Sequence, residues 1–365
     1  MGLLAGHASH RGRVREKNED NYCILLPPAV AEGLDALLAV ADGMGGHQAG
    51  EVASGFVVQR LTELFSTPEH RQWVDYSPTH EDYYVAVLKE VLEQLNEQLH
   101  GAATSQHQLQ GMGTTATVAL LSQKRLFIGH VGDSRAYLVR NGEIQQLTKD
   151  HSWVAEEVEH GRLTLQAAAT HAKKNILTRC LGNGLLVRVD RFSQPIAAGD
   201  RLVLCTDGLS NMVSDEEIWQ SVQSQADPQQ ACDRLLDLAN QRGGPDNITV
   251  LVAHVVGHSV ESTPSGGRVM GQSPSPDQAA ITQKIMRRAL DSQPRARVSI
   301  ALLGVIALLG LLAGGSTVAV VLTLFPALSA WVQFSLLPSA LPVAVAMAVV
   351  CTVALIVIGA RALRR

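Results

Sequence analysis

One stretch of 63 residues without a charged side chain or a histidine is the strongest constraint on how this chain can fold. It lies between Arg297 and Arg361, near the end of the 365-residue chain. Because a bilayer span needs about 20 apolar residues, a run of this length predicts two transmembrane helices, over 298–325 and 339–360. The connector 326–338 contains two prolines, a Trp and a Gln. A pair of buried core helices is the alternative, but neither run has the polar face of such helices.

Basic residues flank both predicted helices. They are Lys284, Arg287, Arg288, Arg295 and Arg297 before the first helix, and Arg361, Arg364 and Arg365 in the short tail 361–365 after the second. Lys and Arg concentrate on the cytoplasmic side of membrane proteins, and the first twenty residues lack the apolar core of a signal peptide. We therefore expect a protein of the inner (cytoplasmic) membrane with two spans, whose main body lies in the cytoplasm.

Charge separates the main body from the segment that follows it. Residues 1–258 carry 21 Lys and Arg against 31 Asp and Glu, whereas the rest of the chain carries nine against three. An acidic body argues against nucleic acid as a partner. Residues 259–297 are rich in Ser, Pro, Gly and Gln and are expected to form a flexible basic linker. The five scattered cysteines fit reduced thiols better than a disulfide framework or a zinc site.

The main body alternates between helical and strand periodicity. Apolar residues recur at helical spacing over 52–65 and 84–99. Strand-like segments lie at 21–26, 36–41, 114–121, 125–131, 136–140, 143–147, 185–192, 201–205 and 247–255. Many hairpin strands with helices grouped in pairs favour layered α+β structure over the regular alternation of a parallel sheet.

Three local signals predict individual turns and helix starts. Asn141-Gly142 lies between two strand-like runs and predicts a hairpin. Ser214 and Glu217 have the spacing of a capping box, and Asp227-Pro228 has the composition of a helix start. The two helix starts predict a second helix pair near the end of the main body.

Four aspartates, most of them beside glycine, lie at the ends of apolar strand-like runs. They are Asp42, Asp133, Asp207 and Asp246. Any one of them is more often part of a structural turn than of a functional site, but four in the same position are hard to explain by chance. Clustered carboxylates repel one another unless cations neutralise them. Ligand sets made only of oxygen select hard ions such as Mg²⁺ or Mn²⁺.

A second charged group precedes the first strand-like run of the main body. The stretch RVREKNED places Arg15 close to Glu19 and Asp20. A guanidinium beside a metal cluster is suited to a pair of phosphate oxygens. The alternative is an exposed charged turn held by its own ion pairs.

Eight motifs in this order resemble the protein phosphatase 2C family of metal-dependent serine/threonine phosphatases, in a bacterial form with a C-terminal membrane anchor. They are RxxNED, VADGMGG, GMGTTAT, GDSRAYL, TKDHS, LTRCLG, CTDGLSN and GGPDNITV. The resemblance covers about residues 1–256, so the catalytic domain is expected over 1–258. It implies a four-layer α-β-β-α sandwich, in which two antiparallel sheets are flanked by helix pairs. A binuclear Mn²⁺ or Mg²⁺ centre would lie at one end.

The resemblance also assigns metal ligands by position in the motifs. Asp42 would bridge the two ions, and Gly43 would lend its carbonyl oxygen to one of them. Asp207 and Asp246 would bind the other ion. Asp133 with Asp207 would form a third, weaker site, so that two tightly bound ions and a possible third are expected.

The remaining assignments concern the substrate and water. Arg15 would bind the substrate phosphate, and Glu19 and Asp20 would hold metal-bound waters. Many members of the family carry a histidine after the Asp-Gly pair as a proposed general acid, but this chain has Met44 there. A metal-bound water is then the expected proton donor, with His47 and His151 as alternatives. Residues 150–184 correspond to the family's mobile flap, here called the flap segment.

The implied reaction is hydrolysis of phosphoserine or phosphothreonine. A water that bridges two divalent cations has its pKa lowered to about 7, so hydroxide is available for in-line attack on phosphorus. The expected partners are phosphorylated proteins, a Ser/Thr kinase or its substrates. A non-catalytic phosphoprotein-binding scaffold on the same fold is the alternative, although such a module would be expected to lose its metal ligands. A phosphatase of anti-sigma-factor antagonists is a third reading, but such proteins usually carry a sensor domain ahead of the core.

Overall fold

The computed structural model describes residues 1–45, 49–66, 81–257, 267–271, 279–283 and 285. All of them belong to one compact unit, Met1–Ile285. The second unit, Met286–Arg365, lies outside the described residues, and with it the predicted membrane helices, their connector and the basic tail. Among the residues that are described, no helix has both the length and the apolar character needed to cross a bilayer.

Twelve strands form two antiparallel sheets in the described part of the chain. The first sheet has the order β1-β11-β10-β7-β8, and the second has the order β12-β2-β3-β5-β6-β9, with β4 paired to β3. The strands are β1 (Gly2–His10), β2 (Asp20–Leu25), β3 (Ala36–Met44), β4 (Gly113–Thr114), β5 (Ala116–Ser122), β6 (Arg125–Val131), β7 (Arg135–Arg140), β8 (Glu143–Gln146), β9 (Asp190–Pro195), β10 (Arg201–Cys205), β11 (Ile248–Val256) and β12 (Arg268–Met270).

Besides a helical segment at 279–283, seven α-helices of the described region cover the outer faces of the sheets and form the flap segment. They are α1 (Ala49–Ser66), α2 (Glu81–Ser105), α3 (Trp153–Glu159), α4 (Leu165–Thr170), α5 (Asp207–Ser210), α6 (Asp215–Ser224) and α7 (Pro228–Gln241). Helices α1 and α2 pack on the second sheet, and α7 packs on the first sheet beside α6.

Apolar side chains fill the space between the sheets and the space beneath the helices. Leu38 and Leu251 belong to the core between the two sheets. Leu235 of α7 and Val252 belong to the core on the other face of the first sheet. Since each sheet buries both faces, the four layers are helices, sheet, sheet and helices, which confirms the predicted α+β sandwich.

The three local sequence signals are confirmed. Asn141 and Gly142 have φ angles of 54° and 83° and join β7 to β8. Ser214 and Glu217 form a reciprocal capping box at the start of α6. The Asp227 side chain accepts a hydrogen bond from the Gln229 amide at the start of α7. These features form locally because both partners lie within a few residues of each other.

Several elements differ from the prediction, among them the short helices α3, α4 and α5, which were not predicted. The strand expected over 185–192 lies at Asp190–Pro195, and β1 was not predicted. In the segment expected to be a flexible linker, residues 268–270 form β12, which pairs with β2, and the Gly271 amide donates a hydrogen bond to the Tyr22 carbonyl oxygen at 2.8 Å. Val269 packs against the core between the sheets, which gives this short strand an apolar anchor.

Candidate metal centre

Strand pairing brings the first two acidic residues together. Asp20 begins β2, Asp42 lies near the end of β3, and the two residues are directly opposite in the antiparallel register. Asp20 is buried, and Asp42 keeps partial contact with solvent. The end of β3 is held by Thr115, whose amide donates to the Asp42 carbonyl oxygen and whose hydroxyl accepts from the Asp42 amide, both at 2.9 Å.

The first sheet supplies two more carboxylates to the same place. Asp207 follows β10 as the first residue of α5, and Asp246 precedes β11. A hydrogen bond of 2.8 Å from the Thr206 hydroxyl to Oδ2 of Asp20 joins the two sheets at this point. Asp42 and Asp207 lie close enough for one carboxyl group, when protonated, to bond the other. Asp133, in the turn between β6 and β7, also contributes to the electrostatic field at Asp42.

Burial and mutual repulsion raise the pKa of four of these carboxyl groups. The pKa of Asp20 rises to about 7 and that of Asp207 to about 6, mainly because burial disfavours the charged form and then because neighbouring aspartates repel it. The pKa values of Asp42 and Asp133 are raised well above the ordinary range for the same two reasons. A positive charge placed among these groups would therefore stabilise their ionised forms.

Two buried carboxylate oxygens in this cluster receive no hydrogen bond. They are Oδ1 of Asp20 and Oδ1 of Asp207. Buried polar atoms are nearly always satisfied, and oxygen atoms of this kind are the preferred ligands of Mg²⁺ and Mn²⁺. In the described part of the chain, no group of three or more His, Cys, Asp or Glu side chains is already arranged to hold a metal ion. The donor set thus fits a hard divalent cation by its chemistry, and the coordination geometry is not preformed.

The two glycines that follow cluster aspartates are required by close backbone packing. A Cβ atom on Gly43 would lie 2.1 Å from the Gly50 carbonyl oxygen of α1, and one on Gly208 would lie 1.9 Å from the Asn247 carbonyl oxygen. Gly43 lies within β3. These contacts fix Asp42 and Asp207 against the neighbouring elements.

Arg15 and Glu19 lie at the edge of the cluster. The Arg15 guanidinium donates a hydrogen bond of 2.8 Å to Oδ2 of Asp246, and its side chain is 48% exposed. Burial is the main reason that the pKa of Glu19 is raised. The Glu19 amide bonds the Asn247 side chain at 2.8 Å. Every predicted site residue therefore lies in or beside this cluster, although Arg15 is paired with a predicted metal ligand.

The sequence prediction missed the neutral residues that hold the acidic ones. Thr115, Thr206 and Asn247 each bond the backbone or side chain of a cluster residue or of its neighbour. All three are buried. Their only sequence signal is that each lies inside one of the eight motifs, and side-chain identity alone does not distinguish them from ordinary turn residues.

The two histidines that the sequence analysis gave as alternative proton donors are His47 and His151. His47 lies outside the described residues. His151 is 2% exposed, and both of its ring nitrogens lie within hydrogen-bond distance of protein groups, so it has no access to a substrate. Met44 lies at the end of β3 and has no transferable proton.

Comparison with known proteins gives the same assignment for the folded unit. Residues 11–241 match the family model for protein phosphatase 2C. The serine/threonine phosphatase stp of Listeria monocytogenes is 39% identical over 259 residues, which cover 68% of this chain and 95% of the relative. The serine/threonine protein phosphatase PstP of Mycobacterium tuberculosis is 40% identical over 255 residues, which cover 70% of this chain and 45% of the relative.

A solved structure is similar in the same region. The crystal structure of the catalytic domain of the serine/threonine protein phosphatase PstP, in complex with two manganese ions, superposes with a TM-score of 0.58 at 39% identity and covers 70% of this chain and 99% of that domain. The family model spans more than half of the chain, and the fold, the acidic cluster and the motifs agree with it. This chain belongs to the protein phosphatase 2C family and is an enzyme of that phosphatase class.

Proposed function

We propose that this enzyme hydrolyses phosphoserine and phosphothreonine in proteins and that it depends on two Mn²⁺ or Mg²⁺ ions. The observation that carries the proposal is the cluster of carboxylates with raised pKa values and unpartnered oxygens where the two sheets meet. The serine/threonine specificity is supported by the names of the relatives, and the preference for manganese by the two ions in the PstP structure.

Each residue of the cluster has a proposed role. Asp42, the Gly43 carbonyl oxygen, Asp207 and Asp246 would hold the two ions. Glu19 and Asp20 would orient water, and Asp133 with Asp207 would hold a third, weaker ion. When bound, the ions supply an activated water and neutralise the charge of the phosphoryl group.

Arg15 and the leaving group complete the proposed mechanism. The Arg15 side chain is long and exposed, so its guanidinium can leave the Asp246 carboxylate and bond two phosphate oxygens of the substrate. The departing alkoxide needs a proton, and Met44 cannot supply one, so water delivers it. In this arrangement the carboxylates position the reacting groups, and Arg15 stabilises charge on the phosphoryl oxygens.

We further infer that the enzyme is tethered to the inner membrane and opposes a Ser/Thr kinase. Support for the tether comes from the uncharged stretch 298–360 and its basic flanks. A tether would raise the effective concentration of membrane-bound substrates. Sedimentation of the full chain with membranes, and its release into the soluble fraction when the chain ends after residue 285, would support this inference.

The test of the proposed function is hydrolysis of a phosphothreonine peptide by the full chain, with Mn²⁺ and with a chelator. Asp207→Asn should abolish the manganese-dependent release of phosphate. Asp237→Asn, on the exposed face of α7, is the matched control and should leave it unchanged. A chain that binds Mn²⁺ and the phosphopeptide without hydrolysing it would favour the scaffold alternative.

A further inference from the structure

His151 contacts the turn that carries Asp133 through both its main chain and its ring. The Gly132 amide donates to Nδ1 of His151 at 3.0 Å, and the His151 amide donates to the Gly132 carbonyl oxygen at 2.8 Å. Gly132 immediately precedes Asp133. The backbone N–H and C=O of the residue before Asp133 are therefore both bonded by one buried residue.

The contacts of the two ring nitrogens determine which tautomer of His151 is present. Nε2 lies 3.0 Å from Oδ2 of Asp190 and 3.0 Å from Nη1 of Arg179, and the same Nη1 donates a hydrogen bond of 2.9 Å to Oδ1 of Asp190. Because Nδ1 accepts a backbone N–H, a neutral ring must carry its proton on Nε2 and donate it to Asp190. The carboxylate thus selects the tautomer that can receive the Gly132 amide, in the way that an outer carboxylate orients a metal-binding histidine.

The far side of the same turn is tied to Asp42. The Ser134 hydroxyl lies 2.7 Å from the Thr115 hydroxyl, which accepts the Asp42 amide. Gly132 has a φ of +115°, and a Cβ atom there would lie 2.5 Å from the Thr115 side chain. The turn that carries Asp133 is therefore held on two sides, by Thr115 beside Asp42 and by His151.

The flap segment joins this network at the same residue. The Thr178 amide donates to the His151 carbonyl oxygen at 2.9 Å, and Arg179 follows directly. The His151 ring also packs against the His130 ring at a tilt of 36°, with ring centres 4.8 Å apart. Since a metal-binding side chain must be held to within about 0.5 Å, these contacts are suited to setting the position of Asp133.

We propose that His151 is a positioning residue, which holds Asp133 in place through the backbone N–H and C=O of Gly132 and is itself oriented by Asp190 and Arg179. The proposal deepens the proposed function, because it concerns the weaker ion site that Asp133 would form. It assigns His151 no proton transfer to substrate. The network also gives the flap segment a direct mechanical connection to the metal centre.

Two substitutions of His151 test the contacts of its two ring nitrogens separately. In His151→Asn the amide oxygen can take the place of Nδ1 and accept the Gly132 amide. In His151→Gln the amide nitrogen can take the place of Nε2 and bond Asp190, but no acceptor remains for Gly132. We expect His151→Gln to weaken the lowest-affinity Mn²⁺ site of the full chain by about 10-fold or more, and His151→Asn to keep it within about threefold, as measured by electron paramagnetic resonance of unbound Mn²⁺.

A double variant tests whether the effect passes through Asp133. In an Asp133→Asn background, His151→Gln should cause no further loss of Mn²⁺ affinity, because coupled residues are not additive. Equal losses in both backgrounds, equal behaviour of Asn and Gln, or no loss at all would overturn the proposal. If His151→Gln does not fold, Asp190→Ala removes the carboxylate that orients the His151 ring, from a partly exposed position, and should weaken the same Mn²⁺ site in the wild-type background but not in the Asp133→Asn background.

These measurements do not require turnover. A wild-type chain that binds Mn²⁺ but fails to hydrolyse phosphopeptide would refute the proposed function and leave the positioning role standing. A chain that hydrolyses phosphopeptide but shows no coupling between His151 and Asp133 would refute the positioning role and leave the proposed function standing.

Discussion

Adding one methyl group at Gly43 should disrupt both the stability of the fold and the metal centre. The new Cβ atom would lie 2.1 Å from the Gly50 carbonyl oxygen, 2.5 Å from its carbon and 2.7 Å from the Glu19 carbonyl oxygen. All three are backbone atoms, so no side chain can rotate away. The first contact alone would have to lengthen by about 1.3 Å to reach the 3.4 Å of an ordinary contact.

The size of the effect follows from this displacement. Strand β3 lies between β2 and β5 and cannot move freely, so α1 must shift outward. Overpacking of this kind costs about 3 kcal/mol, which corresponds to a fall in Tm of about 6–12 °C for a domain of this size. Asp42 is the adjacent residue, and a shift of about 1 Å should reduce phosphopeptide hydrolysis about 100-fold.

Gly55→Ala provides a matched control in the adjacent helix. A Cβ atom on Gly55 would meet only Nδ2 of Asn21 at 3.6 Å, an ordinary contact. Because glycine is unfavourable inside a helix, this variant should gain about 0.5–1 kcal/mol. Thermal unfolding and Mn²⁺ titration of the two variants check the argument. A Gly43→Ala chain with the same Tm and the same Mn²⁺ affinity as the wild type would refute the argument.

Three further outcomes are expected. In chelator at pH 8, Asp207→Asn should have a higher Tm than the wild type because it relieves like-charge repulsion. In excess Mn²⁺ the wild type should have the higher Tm. If the variant has the higher Tm in both conditions, the result would count against a metal centre. Burial lowers the pKa of His130 to about 4, so between pH 6.5 and 4 only the unfolded state gains this proton. The free energy of unfolding should therefore fall by up to about 3 kcal/mol over this pH range. Urea unfolding of His130→Asn should show a smaller fall, because this contribution is missing. Ser214→Ala should lose about 1 kcal/mol by removing a helix cap, whereas Ser224→Ala, at the other end of α6, should cost measurably less.

Local signals in the sequence were sufficient for the features whose partners are near neighbours. The hairpin at Asn141-Gly142 and the caps at Ser214 and Asp227 depend on hydrogen bonds that span only a few residues. By contrast, β1 reads as GLLAGHASH and has weak strand periodicity. Its Gly6 is needed because α7 approaches the strand so closely that a Cβ atom would lie 2.4 Å from the Gln229 amide nitrogen, and no pattern within nine residues reveals that contact.

The sequence by itself determined which residue types are available to the metal centre: aspartates that end buried strands, with glycines where backbones meet. Tertiary structure alone decided which of them converge and how they are held. The hydrogen bond from Thr206 to Asp20 joins residues 186 positions apart, and the contact between Gly132 and His151 depends on how the flap segment returns to the sheet. Periodicity records burial along one element, but the distance between two elements is fixed only when their side chains pack together.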